Sequence, residues 1–303
     1  MKINKIALFA VKLAVSALSL YMVFLKADIS QIISMLKKIG LLPFLFAASL
    51  YVTSICGAAF RWKLLLPERF TFRRLFSLYM IGSFFSTFLP GVIGGDVVKA
   101  YYLNKDAKKL SLTLASVFMD RYLGYVSLMI IGMTAYPFAL SFFGGSVYRL
   151  VMPAIFTAFV IGSFLFFGLK LGKRFKTVSE FYEYFSLLAA RKDIIAKTIG
   201  ISLGIQATGL IAVAVLASAI GEKVPVLPLL VFLPIIITIT SLPISISGLG
   251  VREGSFVLLL GLIGVKPAVA TSISLSWFFS TFLGSVPGLV AYIRHTGGSD
   301  QKK

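Results

Sequence analysis

The sequence predicts an all-α polytopic membrane protein with about six full transmembrane helices and two re-entrant (broken) helical hairpins in an inverted repeat. Three observations indicate this fold class. Hydrophobic residues make up 58% of the 303 residues and the mean hydropathy is +0.95, whereas soluble domains contain roughly 45–50% apolar residues. Uncharged apolar runs recur at the length of about 20 residues that a helix needs to cross a bilayer. Two further apolar segments are interrupted near their centres by Pro and Gly.

Six apolar runs are continuous enough to be full spans. The first follows Lys2 and Lys5, as the apolar part of a signal peptide would. Lys12 interrupts this run and no convincing small-residue cleavage site precedes Lys26, so we expect it to remain as the first span. The whole chain, 1–303, is then a single transmembrane domain with a cytoplasmic tail at 296–303. The predicted spans are 6–25, 41–60, 111–139, 149–169, 198–219 and 268–293.

The positive charge of the chain predicts its orientation in the membrane. A formal net charge of +19 would suggest a nucleic-acid partner in a soluble protein. With the N-terminus in the cytoplasm, however, 21 of the 30 Lys and Arg residues fall in inner segments and six in outer loops. Because basic residues gather on the cytoplasmic side of membrane proteins, both termini are predicted to be cytoplasmic, with no nucleic-acid partner. In this scheme Arg61 belongs to an inner segment and Trp62 is an interfacial anchor.

Side chains for metal and triad chemistry are scarce. Cys56 is the single cysteine and lies in an apolar run, which excludes a disulfide within one chain. His295 is the single histidine, so zinc sites, His-based triads and iron sites lack their ligands. We therefore expect no metal and no cofactor. We also expect a protein that is not an enzyme and has no catalytic residues.

The two interrupted segments, 75–103 and 226–265, share a sequence pattern. In each, Leu-Pro is followed after three residues by a small residue and Gly, and the two prolines, Pro90 and Pro243, are 153 residues apart. The neighbouring spans pair at a similar offset, which predicts repeat halves of about 1–145 and 146–295. Three full spans in each half give the second half the opposite orientation, as in the inverted repeats of transporters. The basic residues beside the first segment predict that its hairpin enters from the cytoplasm and the second from outside.

The first break has the residues for a ligand site. Pro90 lacks the N–H needed to continue a helix, and Gly94 and Gly95 permit a tight reversal. Non-helical backbone at membrane depth requires surrounding protein or water, so we expect a cavity here. Asp96 begins the return helix, whose free N–H groups favour a phosphate or carboxylate, and Lys99 lies one turn further on.

The second break repeats this design with hydroxyl groups. Ser245, Ser247 and Gly248 follow Pro243, and Arg252 lies at the start of the return helix. The hydroxyls either bind a ligand or satisfy the backbone groups that the break releases, and both interpretations are open.

Charged residues inside the spans are candidates for function because each costs roughly 2.5–3.5 kcal/mol on insertion scales. Asp120 and Arg121 lie near the midplane of the third span and, as neighbours on a helix, should have different partners. We expect pairing across the two halves, of Asp96 or Glu253 with Arg121 or Arg252. Such pairs either hold the hairpins in place or bind a ligand. The predicted substrate-binding residues are Gly94, Gly95, Asp96, Lys99, Asp120, Arg121, Ser245, Ser247, Gly248, Arg252 and Glu253.

Three motifs occur in order along the chain: GSFFSTFLPGVIGGD at 82–96, the pair Asp120-Arg121, and PISISGLGVRE at 243–253. Over essentially the whole chain they resemble the flippase-like transmembrane family, the domain fused ahead of lysylphosphatidylglycerol synthases. The resemblance implies a prokaryotic plasma-membrane protein that moves modified phospholipids or other lipid-linked molecules between leaflets. Fused members carry a soluble aminoacyl-transferase domain after the membrane part; this chain ends soon after its last span, so we expect it not to make an aminoacylated lipid by itself. The resemblance also implies that the characteristic positions are Gly94, Gly95, Asp96, Asp120, Arg121, Arg252 and Glu253.

The leading hypothesis is a lipid flippase or scramblase whose polar cavity at the two breaks takes the head group. The expected partners are membrane lipids: an anionic or aminoacylated phospholipid, or a polyprenyl-linked carrier. One alternative is an intramembrane lipid-modifying transferase with Asp96 or Glu253 as general base. The other is a non-transporting membrane subunit of a lipid synthase. A separate synthase partner and a homo-oligomer are compatible with the sequence, which leaves both open.

Overall fold

The computed structural model describes residues 5–67, 70–89, 93–170 and 175–297, and over these ranges the chain is helical, without a strand. This confirms the predicted all-α class. Of the predicted tail, residues 298–303 lie outside the described residues. Two short 3₁₀ helices, Leu140–Phe143 and Val147–Leu150, lie between the α-helices that end at Ala139 and begin at Val151. The α-helices are α1 (Lys5–Lys26), α2 (Ile29–Ile39), α3 (Leu41–Leu65), α4 (Phe72–Phe88), α5 (Ile93–Ala107), α6 (Leu110–Ala139), α7 (Val151–Leu169), α8 (Lys176–Ala190), α9 (Lys192–Ile220), α10 (Val226–Ser241), α11 (Val251–Gly261), α12 (Pro267–Ser285) and α13 (Pro287–Gly297).

In the described part of the chain, five helical segments are long and apolar enough to cross a membrane. α1 and α2 meet at a bend of 91°, and counting Lys12–Leu25 with Ile29–Ile39 as one bent span gives six. The predicted number of about six full spans agrees with this range, and the predicted span 6–25 corresponds to α1. The five segments are Leu41–Leu65, Leu110–Phe143, Val147–Leu169, Lys192–Ile220 and Pro267–Arg294.

α2 and α8 occupy segments that the charge pattern assigns to loops. α2 starts at a capped end, because the Asp28 carboxylate accepts the N–H of Ser30 at 2.8 Å. α8 packs its aromatic face on α6: the rings of Phe181 and Phe185 lie 5.5 and 5.8 Å from that of Phe118. Both helices are shorter than a span and carry charged residues, so a search for long apolar runs misses them.

The first interrupted segment forms two packed helices, α4 and α5, that run antiparallel. Arg74 near the start of α4 pairs with Asp106 near the end of α5 at 2.8 Å. Further along, the backbones approach so closely that a Cβ atom placed on Gly95 would lie 2.0 Å from the carbonyl oxygen of Gly82. The predicted break at Pro90 falls in 90–92, outside the described residues, between the end of α4 and the start of α5.

The second interrupted segment ends α10 at Ser241 and begins α11 at Val251. The turn between them contains Pro243 and uses positive φ angles at Ser247 (51°), Gly248 (77°) and Gly250 (80°). The Ile246 N–H donates to the Ser16 hydroxyl of α1 at 2.9 Å. The Ser247 hydroxyl donates to the carbonyl of Ser86 in α4 at 3.2 Å. The second break therefore lies against α1 and the C-terminal part of α4.

The largest hydrophobic core packs helices of both halves together. It lies among α6, α9, α10, α11 and α12, and α10 packs along α6. Elsewhere α3 packs along α9, again one helix from each half. Fully buried side chains of this core include Leu216, Phe232, Ile236, Phe256 and Ile273.

The close approach of α4 and α5 predicts that Gly95→Ala destabilises the protein. Its methyl group would meet backbone that cannot move aside without separating the two helices, and overpacking of this kind costs about 1–3 kcal/mol. Gly204→Ala in α9 is the matched control, because a Cβ there meets nothing within 4 Å, and it should leave stability unchanged or raise it by up to about 1 kcal/mol. Thermal unfolding of the purified proteins in detergent measures both; equal melting temperatures would contradict the close packing.

Candidate functional site

A polar cavity of about 250 Å³ lies where α3, α4, α5, α6, α9 and α10 meet. Four of the predicted residues line it: Gly95, Asp96, Lys99 and Arg121. The other polar side chains in its wall are Tyr51, Ser54, Arg61, Tyr79, Ser83, Ser86, Tyr125, Gln206 and Ser241.

Asp120 is the centre of a buried ionic cluster behind this wall. Its side chain is fully buried, and one carboxylate oxygen accepts the Arg61 Nε at 2.8 Å. The other oxygen accepts the Tyr79 hydroxyl at 2.5 Å and lies 3.2 Å from Lys99 Nζ. Arg61 also donates to the Ser202 hydroxyl of α9 at 2.8 Å. One carboxylate thus connects α3, α4, α5 and α6, and through Arg61 it connects α9.

Lys99 is held between two carboxylates and two aromatic rings. Its Nζ lies 3.4 Å from Asp96 and 3.2 Å from Asp120. It also lies 3.9 Å from the ring centre of Tyr79 and 4.6 Å from that of Trp62, distances at which a cation is attracted to the ring face. These contacts satisfy an ammonium group that is only 2% exposed.

Asp96 joins this buried cluster to Arg121. It stands in the first turn of α5, where a carboxylate is favoured by the helix dipole, and it accepts the Arg121 Nε at 2.5 Å. The Arg121 side chain is 36% exposed, compared with 15% for Asp96 and 6% for Arg61. The charges therefore alternate from Arg61 through to Arg121, which is the most accessible of them.

The second charged cluster, on α11, is separate from the cavity wall. Glu253 is fully buried; it accepts the N–H of Gly250 at 2.6 Å and the hydroxyl of Ser274 at 2.9 Å. Arg252 donates to the same carboxylate at 2.7 Å and lies over the ring of Phe278. One cation and one anion balance here, and the hydrogen bonds fix the start of α11.

The pairing of these charges differs in part from the prediction. Asp120 and Arg121 have different partners, which is confirmed. The expected pairing across the two halves is wrong, because Arg121 pairs with Asp96 in the first half and Arg252 with Glu253 in the second. Arg252 and Glu253 are adjacent in sequence, yet they meet because both long side chains fold over the start of α11.

The remaining predicted residues lie at the two breaks. A Cβ on Gly94 would meet the Leu89 side chain at the end of α4. Ser245 is buried, and the structure gives its hydroxyl no hydrogen-bond partner. Ser247 and Gly248 form the second turn, and Ser247 reaches the cavity wall through its hydrogen bond to Ser86.

Sequence reasoning missed Arg61, Trp62 and Tyr79. α3 continues to Leu65, so Arg61 lies a turn inside the helix rather than in an inner loop. Trp62 is wrongly predicted as an interfacial anchor, since it is fully buried beside Lys99. The available signal for Arg61 and Trp62 was the apolar sequence that continues past residue 60 to Leu66.

An apolar groove of about 440 Å³ adjoins the polar cavity. Asp96, Arg121, Tyr125 and Ser241 line both spaces. The groove continues between α5, α6 and α8 along Val97, Ala100, Leu114, Val117, Phe118 and Phe181. A charged space and a hydrocarbon-like space therefore meet at the Asp96–Arg121 pair.

Long apolar helices around a charged internal cavity define this chain as a multi-pass membrane protein. The chain belongs to the family described as the lysylphosphatidylglycerol synthase TM region, which it matches over residues 9–288, so the resemblance drawn from its motifs is confirmed. It is also similar to a UPF0104 membrane protein of Methanothermobacter thermautotrophicus (strain Delta H), with 23% identity over 273 residues that cover 77% of this chain and 78% of that protein. No solved structure matches the chain.

The central position of Asp120 predicts that Asp120→Asn is strongly destabilising. The substitution leaves Arg61 and Lys99 buried with too little negative charge, and breaking a buried ion pair in this way costs about 3–5 kcal/mol. Asp106→Asn is the control, because its pair with Arg74 is partly exposed and such pairs contribute about 0–1 kcal/mol. Denaturant or thermal unfolding in detergent should separate the two variants clearly; similar small losses would show that the buried cluster does not hold the helices together.

Proposed function

We propose that this protein moves a lipid between the leaflets of the membrane, with the head group passing through the polar cavity. The observation that carries the proposal is the junction of the charged cavity with the apolar groove at Asp96 and Arg121. A lipid has the same division, since its head group needs polar partners and its chains need hydrocarbon. Membership of the family supports a role that involves lipids.

The proposed path has two re-entrant hairpins in an inverted repeat. In support, the helix order α1–α6 is followed by a similar order in α7–α12: a long helix, a short one, a long one, a broken pair and a further long one. α4 and α5, with 17 and 15 residues, are shorter than the roughly 20 residues of a full span. Their antiparallel packing places the start of α4 and the end of α5 on the same side. The other end of α4 lies beside the second break, where Ser86 accepts the Ser247 hydroxyl.

The proposed orientation has both termini in the cytoplasm of a prokaryotic cell, in its plasma membrane. The excess of Lys and Arg in the segments assigned to the inner side supports it. The α4–α5 hairpin would then open to the cytoplasm and the α10–α11 hairpin to the outside.

The protein is proposed to act without catalysing a reaction. The carboxylates that a transferase would use as a general base, Asp96 and Glu253, are both bonded to guanidinium groups. Product formation by the purified protein would instead establish the transferase. A stable synthase partner, with no lipid movement by the protein itself, would establish the non-transporting subunit.

Transport by this route predicts that Arg121→Gln strongly slows the movement of lipid between the leaflets. In liposomes with fluorescent phosphatidylglycerol, the wild-type protein should speed the access of dithionite to inner-leaflet lipid. Arg121→Gln should slow it about tenfold or more, because the most accessible cation of the cavity is lost. Arg149→Gln, at an exposed position in the 3₁₀ helix before α7, should transport normally.

Two results would contradict this proposal. Equal rates for wild type and Arg121→Gln would remove the cavity as the route. No acceleration by wild type with phosphatidylglycerol, phosphatidylcholine or lysylphosphatidylglycerol would remove lipid translocation itself.

The proposed topology predicts the labelling of single cysteines in a Cys56→Ser background. Arg73→Cys lies near the start of α4 and Lys105→Cys near the end of α5, and both positions are exposed. If they face the cytoplasm, they should react with an impermeant maleimide only after the membrane is opened. Lys38→Cys and Lys223→Cys, also exposed, should react in intact cells. Labelling of Arg73→Cys and Lys105→Cys from opposite sides would show that α4 and α5 together cross the membrane rather than re-enter.

A further inference from the structure

We infer that the site is selective for a lipid with one negative charge on a phosphodiester head group, with a hydrocarbon chain of that lipid in the groove between α5, α6 and α8. The inference rests on the proposed function, because it names the substrate class of the same cavity. Three features carry it: the charge balance of the cluster, the exposure of its members and the continuity of the groove.

The charge of the cavity cluster is unbalanced. Arg61, Lys99 and Arg121 contribute three positive charges, and Asp96 and Asp120 contribute two negative ones. Among the described residues the surplus is one positive charge, whereas Arg252 and Glu253 on α11 balance each other. A net charge inside a membrane protein is costly. A ligand with one negative charge therefore makes the first cluster as neutral as the second.

The accessible end of the cluster is cationic. Arg121 is more exposed than Asp96, Lys99 or Arg61, and it lines both the cavity and the groove. Its planar guanidinium suits the oxygens of a phosphate.

Other head groups fit this charge pattern less well. An aminoacylated phospholipid with a lysyl group adds positive charge. Among the described lining residues the single carboxylate is Asp96, already shared by Arg121 and Lys99. A zwitterionic head group leaves the surplus unchanged. A phosphomonoester, such as a polyprenyl phosphate, carries about −1.5 to −2 charges and overcompensates it.

The apolar groove indicates that the rest of the ligand is hydrocarbon. Beyond Asp96 and Arg121 it is lined mainly by apolar side chains, among them Ala100, Val117 and Phe118. Because the two spaces share that ion pair, a phosphate beside Arg121 leads its attached chain into the groove. A free phosphate compound would fill the cavity alone.

The test is a binding experiment, independent of transport. Purified protein in detergent micelles binds fluorescently labelled phosphatidylglycerol, and unlabelled competitors displace it. Phosphatidylglycerol should compete about tenfold or more better than phosphatidylcholine, lysylphosphatidylglycerol, undecaprenyl phosphate or glycerol 3-phosphate. Arg121→Gln should lose this preference and Arg121→Lys should retain part of it. Arg149→Gln, the exposed control, should keep it in full.

A second pair of variants tests the groove. Ala100→Phe fills it and should weaken phosphatidylglycerol binding, while glycerol 3-phosphate binds as before. Ala158→Phe, at an exposed position of α7, should change neither. If Ala100→Phe weakened the binding of both compounds equally, the groove would not be the site of the hydrocarbon chain. The same conclusion would follow if glycerol 3-phosphate competed as well as phosphatidylglycerol, and the ligand would then be a free phosphate compound.

The wild-type competition series decides the head group even if the variants fold poorly. Equal or better competition by phosphatidylcholine, lysylphosphatidylglycerol or undecaprenyl phosphate would overturn the inference. Transport without selective binding would leave the proposed function standing and remove this inference. Selective binding without transport would contradict the proposed function and leave the preferred head group standing.

Discussion

The structure around the cavity depends on the cost of placing a carboxylate inside the membrane. Asp120 is fully buried in α6 and needs positive partners that its own helix does not supply. Arg61 comes from α3, Lys99 from α5 and the Tyr79 hydroxyl from α4. The interruption before α5 matters for this reason, since it allows a helix to begin inside the fold and to bring Lys99 to Asp120. Gly82 and Gly95 then permit the close packing of α4 and α5 that holds Lys99 in place.

The two breaks share a sequence pattern but differ in their electrostatics. At the first, Asp96 and Arg121 face an open cavity and stay partly exposed. At the second, Glu253 is fully buried and has Arg252 as its counter-ion. Its carboxylate also accepts hydrogen bonds from the Gly250 N–H and the Ser274 hydroxyl. The first cluster is therefore suited to meeting a ligand, and the second is suited to fixing the fold of α11.

The long helices could be predicted from the sequence because apolar length alone determines whether a segment spans a bilayer. The two interruptions could also be predicted, since Pro and Gly act locally on the backbone. α2 and α8 could not, because short helices with charged faces form through packing, as Phe181 and Phe185 of α8 do on Phe118. The ionic partners were only partly predictable: Asp96, Lys99, Asp120 and Arg121 stood out as charges in apolar sequence. Arg61 did not, because its place beside Asp120 depends on how α3 packs against α6.

The contact between the second break and α4 is of a different kind from the two ionic clusters. Ser247 meets Ser86 through a neutral hydrogen bond to a backbone carbonyl, an interaction with a net value of about 0.5–1.5 kcal/mol. The ion pairs on each side, Arg121 with Asp96 and Arg252 with Glu253, stay within their own halves. Parting the Ser247–Ser86 contact therefore separates no opposite charges and breaks one neutral hydrogen bond. The contact between the second turn and α4 is therefore insensitive to the added salt that weakens charged contacts.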